Sequence, residues 1–225
     1  MLEDFLSTVP IFSDLSNEEL TKISKLANQR EYPKGSMIIL EEEFGDTLYI
    51  IKTGTVKITR VNDEGKEVIL ALLGVSELFG ELAILDGEVR SANALAQENC
   101  TVLAITSEDF IDLLKSNFKI SFGLMAELAK RLRKSDMQIE ALSLSDAEHR
   151  IGVSILNLAE EMGVIRKGSV TVENLPYQQD IANMAGTSRE TVSRVMKIFE
   201  ERGLITKAGH KLSIPDYAFF KRIFG

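Results

Sequence analysis

Residues Tyr177–Ile205 read YQQDIANMAGTSRETVSRVMKIFEERGLI, and this stretch decides the architecture of the C-terminal third. Apolar residues recur at helical spacing up to Ala185-Gly186, resume at Val192, and stop before Gly203. The pattern predicts two helices joined by a tight turn, the second capped by Thr187 or Ser188; Thr187 with Glu190 would make a capping box. At about 100° per residue, Val192, Val195 and Phe199 share one face of the second helix. The opposite arc carries Arg189, Glu190, Ser193, Arg194 and Lys197, with Ser188 at its start. An arginine fork matches guanine O6/N7, a glutamate accepts from cytosine N4, and a helix N-terminus suits phosphate. A solvated face with incidental charges would show the same arc. The surroundings favour a DNA reader: a helix precedes it, and Leu204–Thr206 and Lys211–Ile214 form a hairpin around Lys207-Ala208-Gly209-His210. Together these make a winged helix-turn-helix.

Working upstream, Phe118–Leu142 switches to a period of seven. Phe118, Met125, Leu132 and Ile139 hold one seam position, and Ser121, Leu128, Ser135 and Leu142 hold the other. Such a seam favours a two-stranded coiled coil over an amphipathic helix packed on its own domain. Leu144-Ser145-Asp146 then reads as a hinge with an N-cap, opening a helix through Met162.

From Tyr32 to about Thr106 short β-rich runs (Met37–Leu40, Thr47–Ile51, Val56–Val61, Val68–Leu73, Thr101–Ile105) alternate with turns at Gly35, Gly45, Gly54, Gly65 and Gly87. Many short strands at this spacing mean a barrel or sandwich. Residues 1–30 read as short helices, one opened by the capping box Ser16-x-x-Glu19. The fold class is α+β: an all-β domain over residues 1–116, a dimerisation helix over 117–145, and a winged helix-turn-helix over 146–225.

The composition fits two domains with an ordinary globular mix, 44% hydrophobic and 27% charged. One cysteine, Cys100, excludes an internal disulfide framework and a multi-cysteine metal cluster. The N-terminus lacks a basic signal-peptide region, and the apolar run Val68–Val75 is too short to span a membrane, so a cytoplasmic protein is expected. The net charge of −8 is unevenly spread: residues 147–225 carry 11 Lys+Arg against 9 Asp+Glu, leaving 15 against 25 in residues 1–146. A mildly basic C-terminal domain is compatible with nucleic acid.

The densest motif of the β region is Phe79-Gly80-Glu81-Leu82-Ala83, followed by Arg90-Ser91-Ala92. Gly80 lets backbone N–H groups approach a ligand, and a short helix starting there would aim its N-terminus at an anion. Arg90 offers a fork for phosphate oxygens, Ser91 a hydroxyl donor, and Glu81 an acceptor for a sugar hydroxyl. The chemistry suits a phosphorylated sugar. It also fits an internal Glu81–Arg90 ion pair bracing a plain turn.

Both motif blocks, in this order and across about Ile11 to Pro215, resemble the cyclic-AMP receptor and FNR (Crp/Fnr) family of bacterial transcription regulators. Thr187–Arg194 (TSRETVSR) is similar to that family's recognition helix, which implies that Arg189, Glu190 and Arg194 read base edges of a palindrome with TGTGA-like half-sites. Gln179 matches a glutamine common there, whereas Tyr177 and Gln178 depart. The Gly80–Arg90 stretch is similar to the phosphate cassette of cyclic-nucleotide-binding domains, which are jelly-roll barrels. The resemblance implies that Arg90 and Ser91 hold a cyclic phosphate and Glu81 a ribose hydroxyl. It places Arg131 and Ser135 near the purine, with cyclic AMP as effector, a homodimer through residues 118–142, and RNA polymerase as partner. Asp136 departs from the family's serine; an aspartate can accept from adenine's amine or from guanine's N1–H and N2–H donors.

Cys100 alternates as a buried small hydrophobe. With one cysteine, FNR-type oxygen sensing is excluded. His149 and His210 read as surface or phosphate-contacting residues, the Lys130–Lys134 run as a solvated face, and Tyr217–Phe224 as a helix packed on its own domain. No nucleophile–base pair, metal cluster or paired carboxylates suggest catalysis, so no enzyme and no catalytic cofactor are expected. The alternatives are a constitutive DNA-binding regulator whose barrel is structural, or one gated by cyclic GMP or another phosphorylated ligand.

Overall fold

The computed structural model describes residues 2–225. They form two compact units: one runs to Arg60 and includes Leu70–Arg133, and the other joins Val61–Ile69 with Lys134–Gly225.

The first unit opens with helices α1 (Leu2–Leu6) and α2 (Asn17–Leu26). Ser16 caps α2 by accepting from the Glu19 backbone, and the Glu19 carboxylate accepts from the Ser16 N–H, the expected capping box. Strands β1 (Asn28–Tyr32), β2 (Met37–Ile39), β3 (Thr47–Thr53), β4 (Val56–Val61), β5 (Glu67–Leu73) and β6 (Leu78–Phe79) follow. A five-residue helix α3 (Leu82–Asp86), strands β7 (Asn93–Ala96) and β8 (Cys100–Thr106) and helix α4 (Ser107–Ser116) complete the β region. The strands make two sheets, β1-β8-β3-β6 and β2-β7-β4-β5. This arrangement is consistent with the expected jelly roll, as a two-sheet sandwich rather than a closed barrel.

Strand β3 explains the stacking. Tyr49 and Ile51 point into the sandwich with Val56, Phe79, Ala94, Ala96, Val102 and Ala104. Leu48 and Ile50 point outward, where Leu6, Phe12, Leu20, Ile23, Phe110, Ile120 and Leu124 cover them. A strand covered on both faces reads as an uninterrupted apolar run, as Leu48–Ile51 does. Each such side chain contributes about 1.5–3 kcal/mol by burial. Cys100 lies in the inner core, buried and free, and burial pushes its thiol pKa up.

Helix α5 (Phe118–Leu144) is one continuous element of 27 residues. Ile120 and Leu124 are buried, while Phe118 (76%), Leu132 (63%) and Ile139 (62%) are largely exposed, an apolar stripe that the single chain leaves uncovered.

The second unit is built on α6 (Ala147–Met162), capped by Asp146, whose carboxylate accepts from the His149 N–H at 2.8 Å. Strands β9 (Val164–Arg166) and β10 (Ser169–Val172) precede helices α7 (Gln178–Ala185) and α8 (Arg189–Glu201). Then come β11 (Thr206–Ala208), β12 (Lys211–Ile214) and α9 (Tyr217–Phe224), with sheet order β11-β12-β10-β9. Phe199, Phe220 and Phe224 form an aromatic core with ring centroids 4.7–6.2 Å apart. Gly152 is required by it, because a Cβ there would overlap the Phe224 ring. The wing is formed by β11 and β12, with its first strand about two residues later than the sequence pattern suggests; Ile205 is buried in the core instead.

Candidate functional site

In the first unit, the turn between β6 and α3 brings Gly80 and Glu81 against Arg90. Arg90 is only 6% exposed. Its Nη1 donates to Gly80 O at 2.6 Å and its Nη2 to Thr47 O at 2.7 Å. The backbone on both sides is tied down: Arg90 N donates to Glu43 O and Arg90 O accepts from Glu42 N. Two glycines make room for the guanidinium. Gly80 adopts φ +82°, and a Cβ there would sit 2.7 Å from Nη1 and 3.1 Å from Thr47 O; a Cβ at Gly45 would overlap the guanidinium itself.

Among the described residues Arg90 has no carboxylate in salt-bridge contact. Burial pulls its pKa down, opposed by Tyr49, Asp46 and Glu81 nearby. A buried guanidinium hydrogen-bonded only to neutral carbonyls, with no carboxylate in direct contact, is electrostatically suited to an anion. Helix α3 has only five residues, so the positive field here comes from Arg90 rather than a helix dipole.

Glu81 is 3% exposed and does not bond to Arg90. Its Oε1 accepts from Arg131 Nη1 at 2.9 Å, while Arg131 Nη2 donates to Leu78 O at 2.6 Å. Arg131 Nε also lies 3.6 Å from Glu127. The Glu81–Arg90 ion pair entertained from the sequence is thus replaced by a Glu81–Arg131 pair between the cassette and α5. The structure brings Gly80, Glu81, Arg90 and Arg131 together. Leu82, 43% exposed, opens α3, and Ser91 is exposed beside Arg90. Ser135 and Asp136 are exposed on α5, about one turn beyond Arg131, and their side chains make no hydrogen bond among the described residues. Sequence reasoning missed Gly45 and Thr47: the first read as an ordinary turn glycine, and the second contributes only a carbonyl, which no side-chain pattern reveals.

In the second unit, α7 and α8 meet at Gly186, φ +58°. Ser188, not Thr187, caps α8, accepting from Thr191 N at 3.2 Å, so no Thr187–Glu190 box forms. Val192, Val195, Met196 and Phe199 are buried. Ser188, Arg189, Glu190, Ser193, Arg194 and Lys197 are all exposed on the opposite side, and Gln179 is exposed on α7. Arg189 and Arg194 make no ion pair among the described residues, whereas Lys197 lies 3.9 Å from Glu201. The Glu190 carboxyl is held below its ordinary range by its own backbone N–H and by the Ser188 hydroxyl, keeping it an acceptor. Arg150, which sequence patterning passed over, fixes the turn: its Nε donates to Ala185 O at 2.9 Å and its Nη1 to Ser145 O at 2.7 Å. No group of three metal-ligating side chains occurs among the described residues, and no helix there is long and apolar enough to cross a membrane.

Residues 29–117 match the cyclic nucleotide-binding domain family, and residues 149–223 match the Crp-like helix-turn-helix domain. Fold and matches together define a DNA-binding transcription regulator carrying a cyclic-nucleotide-binding domain. The chain is 34% identical over 214 residues to the cyclic AMP receptor protein of Thermus thermophilus, covering 95% of this chain and 96% of that one. It belongs to the Crp/Fnr family of transcription regulators. Its fold is also that of FixK2 from Bradyrhizobium japonicum (TM-score 0.78, 20% identity, covering 88% of this chain and 98% of that one). A c-di-GMP responsive global regulator, CLP, from Xanthomonas campestris gives a TM-score of 0.72 at 21% identity, covering 88% and 99%.

Proposed function

We propose that the chain is a homodimeric, sequence-specific transcription regulator of the cytoplasm, without catalytic activity, whose affinity for DNA is gated by a cyclic nucleotide. The observation that carries this reading is the buried Arg90, which makes no direct ion pair among the described residues, set against Gly80 and close to the Glu81–Arg131 bond. A cyclic phosphate would take the remaining guanidinium donors and the Ser91 hydroxyl, and Glu81 would accept from the ribose. Arg131, Ser135 and Asp136 would meet the base. Cyclic AMP is the favoured effector, supported by the name of the Thermus relative. Asp136 favours a second reading, a guanine nucleotide, because an aspartate can accept from two adjacent guanine donors.

Self-association uses the exposed stripe of α5 over residues 118–142, since Phe118, Met125, Leu132 and Ile139 would otherwise stay in water. Two copies present two α8 faces to successive major grooves of a TGTGA-like palindrome. Arg189, Glu190 and Arg194 read bases; Gln179, Ser188, Ser193 and Lys197 contact phosphates or flank them. RNA polymerase is the partner through which a bound dimer changes transcription.

Calorimetric titration of the purified protein with cyclic AMP, cyclic GMP and c-di-GMP tests the effector. Micromolar heat with one cyclic mononucleotide supports gating. No heat with any, alongside tight binding to the palindrome, would replace gating with a constitutive regulator whose sandwich is structural.

A further inference from the structure

The tip of the hairpin joining β4 to β5, Val61–Ile69, groups with the helix-turn-helix unit. The contact is specific. Gln179 Nε2 donates to Asn183 Oδ1 at 2.9 Å, four residues on along α7, and Asn183 Nδ2 donates to Glu67 Oε1 at 3.1 Å. Two amide side chains on the exposed side of α7 are therefore chained to a carboxylate from outside the helix-turn-helix. A carboxylate oxygen and a phosphate oxygen ask for the same donors. The hairpin tip is also acidic, with Asp63, Glu64 and Glu67 against one lysine, Lys66. In contrast, residues 147–225 carry a net positive charge.

We propose that the 61–69 hairpin is an intramolecular stand-in for the DNA backbone, engaging α7 through Glu67–Asn183–Gln179 and lowering the protein's affinity for DNA. This rests on the reading of α7 and α8 as the DNA interface. While the relay is formed, the Gln179 amide is committed to Asn183, and the hairpin acids repel approaching phosphate. DNA must displace the hairpin before α7 can seat on the backbone, so the contact acts as a built-in competitor whose removal tightens binding.

The test is fluorescence anisotropy of the full-length protein on a duplex bearing a TGTGA palindrome, without nucleotide. Glu67→Ala is expected to tighten binding about three- to tenfold. Glu64→Ala removes an equal charge from the same hairpin, where its ion-pair partner is Lys66 at 2.7 Å; it should tighten binding less than about twofold, the size of a screened surface effect. The inference is overturned if Glu67→Ala leaves affinity unchanged, or if Glu64→Ala tightens it equally, since general charge would then explain the gain. Should the unaltered protein and both variants fail to bind the palindrome both without nucleotide and with saturating cyclic AMP, the DNA-binding reading itself fails and the inference falls with it; binding by the unaltered protein in either condition separates the two cases.

Discussion

Replacing Arg90 with leucine should separate ligand recognition from folding. Arg90 is nearly fully buried and spends two N–H groups on Gly80 O and Thr47 O. Leucine would leave both carbonyls without donors, at about 1–3 kcal/mol each where water does not reach them. It would also remove the cost of burying a guanidinium with no carboxylate in direct contact, which acts in the opposite direction. The two effects largely offset, so the net loss of stability should be about 2 kcal/mol or less, a fall of several degrees in thermal midpoint for a domain of this size. Nucleotide binding has no such offset. Hydrogen bonds to a charged group are worth about 1.5–3 kcal/mol each, and losing one or two of them weakens binding about 10- to 10,000-fold. Calorimetry with cyclic nucleotide and a thermal melt of the same sample read both quantities. Arg90→Lys, which keeps the charge and loses the fork, should fall between. Nucleotide affinity within about threefold of the unaltered protein, in a folded Arg90→Leu variant, would refute the assignment of Arg90 to the phosphate.

Leu132→Asp puts a charge on the exposed stripe of α5 and should weaken self-association at least about a hundredfold, since each of two copies loses about 1.5–3 kcal/mol of burial; sedimentation should show monomers with an unchanged far-UV spectrum. Arg194→Ala should cost about 1–3 kcal/mol on the palindrome and little on random DNA, whereas Lys197→Ala should weaken both alike and reduce the salt slope by about one; a common loss on both DNAs for Arg194→Ala would remove it from base reading. Burial alone would raise the Glu160 pKa, but hydrogen bonds from Lys221 (2.6 Å) and Tyr217 (3.0 Å) outweigh it and hold the carboxyl below its ordinary range. A depressed folded value adds stability above the unfolded pKa of about 4.3 that is lost as pH falls through the folded value. Glu160→Gln should therefore destabilise α9 packing slightly near neutrality, by less than about 1 kcal/mol for so exposed a pair. Urea titrations should show the deficit vanishing on acidification, and a deficit that persists at low pH would contradict it.

The parts of the fold legible in the sequence were those with strong periodicity or fixed chemistry. Val56–Val61 is legible to the residue because its β-rich run is bounded by turns. The α5 stripe announced itself through an unbroken seven-residue repeat. The strands overlooked have physical excuses: Asn28–Tyr32 is a polar edge strand, mostly exposed, and Asn93–Ala96 is built from small residues with low β propensity. Strands Val164–Arg166 and Ser169–Val172 are too short to show a period. At the sites, side chains carrying charge were found because their types are chemically committed. Their partners were harder to foresee. Glu81 turned toward Arg131, fifty positions away along the chain, and Thr47 serves through its backbone, neither of which local spacing encodes. The sequence leaves the cap of α8 open between Thr187 and Ser188, and the extended backbone of Ser188 decides it.

The most direct measurement is the affinity of the full-length protein for a TGTGA palindrome, by anisotropy at fixed salt, with and without saturating cyclic AMP. Gating predicts at least a tenfold tightening, about 1.4 kcal/mol of coupling between the two sites. Equal affinity in the presence and absence of cyclic AMP, with cyclic GMP and c-di-GMP equally without effect, would contradict it.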